Sequence, residues 1–349
     1  MTKTSPGRFF EDFIPGMRIV HPTPRTVTTG DVALYGALYG SRFAVQSANS
    51  FARNIGYPAS PVDDFLVFHL VFGKTVPDIS LNAVANLGYA DCRFLAPVYP
   101  GDSLQACSQV IGVKENSSRQ TGVVYVRSQG LNQHGVTVLD YVRWVMVRKR
   151  DAASAAPPGC VPDLLDTVPP DQLGQACPQI DPARYDLSLA GSPHRWGDYA
   201  KGERIDHIDG MTVEEAEHQM ATRLYQNTAK VHFNQFAEGQ GRFGRRLVYG
   251  GHAISLARAL SFNGLANAFH ISAINGGRHV APLFAGLTVF CWSHVLDTAR
   301  IPGRGDVGAL RLRTIATKDR ICADFPLMNG ADMDASVILD LDYWALMPL

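Results

Sequence analysis

Three places in the chain carry residue types that can move a proton or hold a developing negative charge: His232, the Gly250-Gly251 pair and Asn227. An imidazole exchanges protons near neutral pH. A glycine opening a helix presents a backbone N–H with no side chain in front of it and the helix dipole behind it. A carboxamide can orient a water or an imidazole but cannot accept a proton. Such a set suits general-base chemistry beside a carbonyl whose oxygen gains charge. The chain that carries them is written twice. Phe10-Glu11-Asp12-Phe13-Ile14-Pro15-Gly16-Met17-Arg18-Ile19-Val20-His21 recurs as Trp196-Gly197-Asp198-Tyr199-Ala200-Lys201-Gly202-Glu203-Arg204-Ile205-Asp206-His207, at an offset of 207 − 21 = 186. The same offset pairs Thr26-Val27 with Thr212-Val213, Leu38-Tyr39 with Leu224-Tyr225 and Val62 with Val248. It also sets Ser41, Gln46 and Asp64 opposite Asn227, His232 and Gly250. Glutamine is no base and a carboxylate repels an oxyanion, so the working site is expected in the second copy.

A period this long means two copies of a whole domain. The first copy is read as 8–150, a linker rich in Ala, Pro, Gly and Asp as 151–193, and the second copy as 194–349. Helical spacing over Val32 to Tyr39 is followed by an irregular stretch from Gly40 to Pro61 and an apolar helix near Phe65 to Gly73. Strand patterns follow over Tyr89 to Val98, Ser103 to Val113, Thr121 to Leu131 and Thr137 to Val147, separated by turn signals such as Pro100-Gly101-Asp102. The second copy repeats the order, with helices over Thr212 to Tyr225 and Ala253 to Asn263 and strands from about Ser272. The strand turn Pro97 to Gly101 returns as Pro282 to Gly286, at 282 − 97 = 185. This is an α+β pattern. It resembles a tandem (double) hot-dog fold, in which each helix is wrapped by an antiparallel sheet and the two sheets join at edges that would otherwise be exposed.

Composition narrows the function. With 32 Lys+Arg against 32 Asp+Glu and a pI near 7.2, no electrostatic footprint for nucleic acid or anionic membrane exists. No apolar run approaches a membrane span and the start has no signal-peptide core. Six cysteines without a CxxC pair read as buried, reduced thiols of a cytoplasmic protein. Metal-ligand spacing is absent, so neither a metal nor a separate cofactor is expected.

Tyr225-Gln226-Asn227-Thr228-Ala229-Lys230-Val231-His232, followed by Leu247-Val248-Tyr249-Gly250 and Ser255-Leu256, resembles the active-site turn and helix opening of the MaoC-type enoyl-CoA hydratases (hydratase 2 family). In that turn Asp and His stand five residues apart. The resemblance gives His232 the role of base and Gly250 that of oxyanion donor, and Asn227 departs from the family's Asp. Longer runs, His21 to Thr28, Ala33 to Ala44, Phe68 to Ala90 and Gly251 to Phe262, resemble the mesaconyl-CoA hydratases (β-methylmalyl-CoA dehydratases) across nearly the whole chain. The resemblance implies reversible addition of water to an enoyl thioester, with the CoA belonging to the substrate and the first copy shaping its tunnel.

The substrate of such a family has a free carboxylate, which calls for a cation. Arg278 is the candidate, with Arg42, Arg53 and Lys230 competing, and Gly251 and His252 beside Gly250 complete the candidate substrate-binding set. Asp63, Asp64 and Glu238 are possible carboxylate partners for His232. Asp31 reads as an early-helix carboxylate, and His69 and Lys74 as tunnel-lining residues. Two rival functions stay open: an acyl-CoA thioesterase, which would need Glu215 or Glu217 on the central helix, and a non-catalytic acyl-CoA-binding module. A homodimer is expected.

Overall fold

The computed structural model describes residues 3–349. Its first copy contains strands β1 (Arg18–Thr26), β2 (Ala83–Phe94), β3 (Ser103–Glu115), β4 (Thr121–Leu131) and β5 (Thr137–Arg148). Its helices are α1 (Thr29–Tyr39), α2 (Ala44–Ser47), α3 (Asn49–Ile55) and α4 (Asp64–Ile79). After the short α5 (Leu187–Ala190), the second copy brings β6 (Arg204–Thr212), α6 (Glu215–Leu224), α7 (Lys230–Phe233), α8 (Gln235–Glu238), α9 (Gly250–Leu260) and α10 (Phe262–Leu265). It ends with β7 (His270–His279), β8 (Thr288–Arg300), β9 (Val307–Lys318), a small hairpin of β10 (Met328–Asn329) and β11 (Asp332–Met333), and β12 (Val337–Pro348).

Ten strands form one antiparallel sheet in the order β1-β3-β4-β5-β2-β7-β12-β9-β8-β6. The order is a palindrome of the repeat, five strands from each copy. The copies meet where β2 pairs with β7, with Tyr89 opposite Gly277 and Cys92 opposite Ile274. The joint satisfies two edges that neither copy could leave open in water. Helices α4 and α9 lie together on one sheet face, and their buried side chains share a single hydrophobic core.

Most predicted elements appear within a few residues, with four departures. The stretch from Gly40 to Pro61 contains α2 and α3 and is not irregular throughout. The linker wraps the outer face through buried Val168, Leu173, Ile180 and Tyr185, whereas Leu165 is 49% exposed. Cys160 is exposed, against the reading of uniformly buried thiols. Helix α4 also runs through Gly73 instead of ending there. That glycine is a packing device: a Cβ on it would stand 1.8 Å from the Tyr225 carbonyl oxygen.

Two buried hydrogen bonds mark the pseudo-twofold axis. Tyr39 Oη meets Tyr225 Oη at 2.6 Å, and His69 Nε2 meets Ser255 Oγ at 3.0 Å. Each pair is separated by the repeat offset of 186, so equivalent residues of the two copies touch across the axis.

Gly73→Ala is expected to destabilise the fold by about 3 kcal/mol, the upper range for overpacking. Gly36→Ala in α1, where a Cβ meets nothing within 4 Å, is expected to be neutral or to stabilise by up to about 1 kcal/mol. Urea unfolding of both variants distinguishes this packing role from a generic helix effect, which would move the two alike.

Candidate active site

The site begins where α6 ends. Gln226 turns the chain in the left-handed region, φ 53°, at the position where the first copy uses Gly40, φ 59°. A non-glycine residue there costs about 1–2 kcal/mol, and the first copy holds the turn in place. Arg25 donates to the Leu224 carbonyl, Lys74 Nζ donates to Thr23 O at 2.7 Å and approaches Gln226 Oε1 at 3.5 Å, and Gly73 lies against Tyr225. Burial, with Arg25 adding to it, lowers the Lys74 pKa to about 8.

Beyond this turn Asn227 is buried, and its Oδ1 accepts the Ala229 N–H at 3.0 Å. That bond fixes the orientation of the amide and leaves its NH2 without a protein partner among the described residues. Asn227 can therefore donate to a water oxygen but cannot take its proton. One short turn later, His232 Nδ1 lies 2.9 Å from the Leu247 carbonyl. A carbonyl only accepts, so Nδ1 carries the proton and the Nε2 lone pair is left available. Desolvation lowers the His232 pKa to about 4, although the Leu247 bond opposes this. The ring is thus neutral in the physiological range.

Facing it is the start of α9. Tyr249 precedes the helix without capping it, and its ring lies 5.4 Å from that of His232. Val248 and His252 N–H groups are used by Leu283 and Tyr249 carbonyls. Those of Gly250 and Gly251 have no protein acceptor among the described residues, and point along the positive end of the helix. Both glycines are required by close packing. A Cβ on Gly250 would stand 2.3 Å from His279 Cε1, and one on Gly251 2.6 Å from His69 Cε1. His232 thus keeps a free ring nitrogen beside Tyr249, the residue that leads into these two amide N–H groups.

In the first copy the equivalent place is filled. Gln46 donates to the Phe269 carbonyl at 2.7 Å. Asp63 caps α4 through Phe65 N, and Asp64 accepts Ile271 N–H at 2.7 Å and pairs with His270 Nδ1 at 3.0 Å. Neither aspartate contacts His232, nor does Glu238, so the structure offers the base no carboxylate partner from this set.

The substrate-binding candidates divide. Gly251 lies beside Gly250, and Lys230 is exposed at the head of α7, near the catalytic turn. His252 is wholly buried and bound through Nδ1 to Tyr39 Oη at 2.9 Å, so it belongs to the inter-copy network. Arg278 lies on the outer face of the sheet, away from Gly250: its side chain is 59% exposed and engages Asp340 at 3.1 Å. Strand alternation explains the miss, because Arg278 and His279 point to opposite faces. His279, which sequence reasoning passed over, is the one that meets Gly250, and its Nε2 lies 3.1 Å from Tyr89 Oη of the first copy. Arg42 stacks on Phe262 and Arg53 binds the Pro58 carbonyl, so both are engaged elsewhere. Asp31 is a capping residue for α1, paired with Arg25. His69 lies on the pseudo-twofold axis and Lys74 under the catalytic turn. Glu215 is tied to His218 and Arg246, and α9 carries no acidic residue.

Residues 2–331 match the family model described as mesaconyl-CoA hydratase. A β-methylmalyl-CoA dehydratase of Chloroflexus aurantiacus is 61% identical over 347 residues, covering 99% of this chain and 98% of the relative. A mesaconyl-CoA hydratase of Cereibacter sphaeroides is 59% identical, covering 99% of each. Among solved structures, a MaoC domain protein dehydratase of Chloroflexus aurantiacus superposes with a TM-score of 0.98 at 60% identity, covering 100% of this chain and 99% of that one. A Mycobacterium tuberculosis protein with a double hot-dog fold gives 0.76 at 24% identity, covering 99% of each, and supports the fold alone.

The buried histidines around the site set its response to acid. Desolvation lowers His69 and His252 to about 3, and His232 and His279 to about 4. An unfolded histidine titrates near 6.5, so between about 6.5 and 3 the unfolded chain binds more protons than the native one. Stability is full above that window and falls as pH drops through it. A melting temperature clearly lower at pH 5 than at pH 7.5 is the expected outcome, and a flat profile would contradict neutral burial of these rings.

Proposed function

The chain belongs to the mesaconyl-CoA hydratase family, and from that premise we propose how its residues divide the reaction. The protein is a hydro-lyase of the double hot-dog class that reversibly hydrates mesaconyl-CoA to β-methylmalyl-CoA. One observation carries the assignment of roles: the Nδ1–H of His232 is committed to Leu247 O, which leaves Nε2 unprotonated beside the open start of α9.

In the hydration direction, His232 Nε2 takes a proton from water as its oxygen bonds to the β-carbon of the enoyl thioester. Electron density moves to the thioester oxygen, where Gly250 and Gly251 N–H groups hold it, helped by the helix dipole. The imidazolium then returns its proton to the α-carbon. Asn227 orients the water through its NH2 and takes no proton. A single base suffices because it is regenerated within the cycle. No cofactor beyond the substrate's own CoA enters this scheme, and we assign the exposed Lys230 at the head of α7 to substrate binding. We further propose a cytoplasmic homodimer in which the sheets pair further, acting in acetate assimilation through the ethylmalonyl-CoA pathway or a related carbon cycle.

The thioesterase reading is less well served: Glu215 and Glu217 lie on α6, not on α9, and Glu215 is held by His218 and Arg246. Following the enoyl-thioester absorbance of mesaconyl-CoA with wild type and His232→Ala tests the roles. Loss of the band with wild type, slowed on the order of 10²–10⁴-fold in the variant, is expected. Equal rates would remove His232 from the reaction, and release of free thiol with the enoyl band intact would make the enzyme a thioesterase.

A further inference from the structure

Arg143 is a fully buried cation with no carboxylate within ion-pair distance among the described residues. Its guanidinium donates to Thr75 Oγ1 at 2.8 Å and weakly to Ser80 Oγ at 3.4 Å, stacks 4.2 Å above the Phe72 ring, and has no acceptor for Nε. A buried charge is costly unless an anion answers it. Tyr89 lies directly across the strand pair from Arg143, and Tyr141 is its neighbour on the same strand face. From there the geometry leads to the active site. Tyr89 Oη touches His279, His279 packs on Gly250, and Phe72 lies 5.8 Å from the Tyr249 ring, which borders His232. The hydroxyl of Tyr249 and the Nδ1 of His279 make no hydrogen bond among the described residues either, and the Tyr141 hydroxyl has only Thr75 and Ser128 nearby. With Arg143 Nε, three orphaned polar atoms in one contiguous cluster point to an absent polar guest.

The repeat supplies an internal control. Arg143 opposes Tyr89 on β2 as Tyr343 opposes Ile274 on β7, and Phe72 stands one repeat offset from Arg258. The cation therefore sits on the sheet in one copy and on the helix in the other, in equivalent space. Around Arg258 carboxylates lie within electrostatic reach though not in ion-pair contact: Asp63 and Asp64 stand where the catalytic copy has Tyr249 and Gly250, and Arg258 donates to the Ala268 carbonyl. Arg258 opposes the burial that raises Asp63 to about 6. Around Arg143 three tyrosines take the place of that carboxylate.

We propose that Arg143, with Tyr89, Tyr141 and Tyr249 around it, is the seat for the free carboxylate of the substrate, and that the first copy thereby selects dicarboxylic over monocarboxylic enoyl-CoA esters. The assignment rests on the hydratase reading for the identity of the substrate, and it gives Arg143 the role first considered for Arg278. A guanidinium flanked by phenols recognises a carboxylate by charge-assisted bonds, and the methyl of a monoacid would leave the same polar groups unpaired.

The test is calorimetric binding of two unreactive thioesters, methylsuccinyl-CoA and 2-methylbutyryl-CoA, which differ in a carboxylate against a methyl. Wild type is expected to favour the diacid by on the order of 10²-fold or more. Arg143→Gln should lose most of that preference, with the diacid falling much further than the monoacid, and Arg143→Lys should restore part of it. Should the glutamine variant not fold, Tyr249→Phe decides, with an expected fall of about tenfold in the preference. A preference that survives in Arg143→Gln or is untouched in Tyr249→Phe, or an equal loss for both ligands, overturns the proposal. Hydration of mesaconyl-CoA by wild type is read in parallel. Diacid selection through Arg143 without hydration would remove the hydratase reading, and hydration without such selection would remove this inference.

Discussion

The approach of α4 to the turn after α6 is the constraint on which the rest of the structure depends. At Gly73 the two backbones are so close that a single methyl would overlap the Tyr225 carbonyl. Because of that contact, the turn carrying Asn227 and leading to His232 is positioned by the other copy, together with Arg25 and Lys74. The same packing brings Tyr39 against Tyr225 and His69 against Ser255, and it fixes α4 beside α9 over a continuous sheet. The copies are thus one folding unit in energetic terms, with a shared core and a site that neither could assemble alone.

Duplication then allowed the copies to diverge in function while keeping their geometry. Two helix N-termini face equivalent hollows. That of α9 opens with two glycines and leaves its donors unoccupied, whereas that of α4 is closed by Asp63 and Asp64, which spend their oxygens on Phe65, Ile271 and His270. The closed hollow stabilises the fold, and the open one is where charge can develop on a ligand. Burial keeps the surrounding imidazoles neutral, which is the state a general base needs.

How much of this was legible in the sequence follows from what each signal depends on. The repeat, the strands from β3 to β5 and the glycine-led opening of α9 depend on local pattern, and they were read within a few residues. His232 and Gly250 were found through the resemblance to the MaoC-type turn and helix opening, and comparing the copies supported them, a control that exists only in a duplicated chain. Other features depend on partners far away in sequence. Gly73 looks like a helix end until Tyr225 is seen behind it. Arg278 draws attention as a charge, but strand alternation puts it outside and the less conspicuous His279 inside. Arg143 sits in an apolar strand pattern, Tyr141-Val142-Arg143-Trp144-Val145, where nothing local reveals that its guanidinium is buried and unanswered. Aligning β5 with β12 would have set it against Tyr343, and that was the signal available.

The central claim is that one copy performs the chemistry while the other holds it in place. A crystal structure of the protein with an unreactive acyl-CoA analogue bound tests this most directly. The expected result is one ligand per chain, its thioester oxygen on the Gly250 and Gly251 N–H groups and its β-carbon facing His232 Nε2. A ligand seated instead at Gln46 and Asp64, or one in each copy, would contradict it.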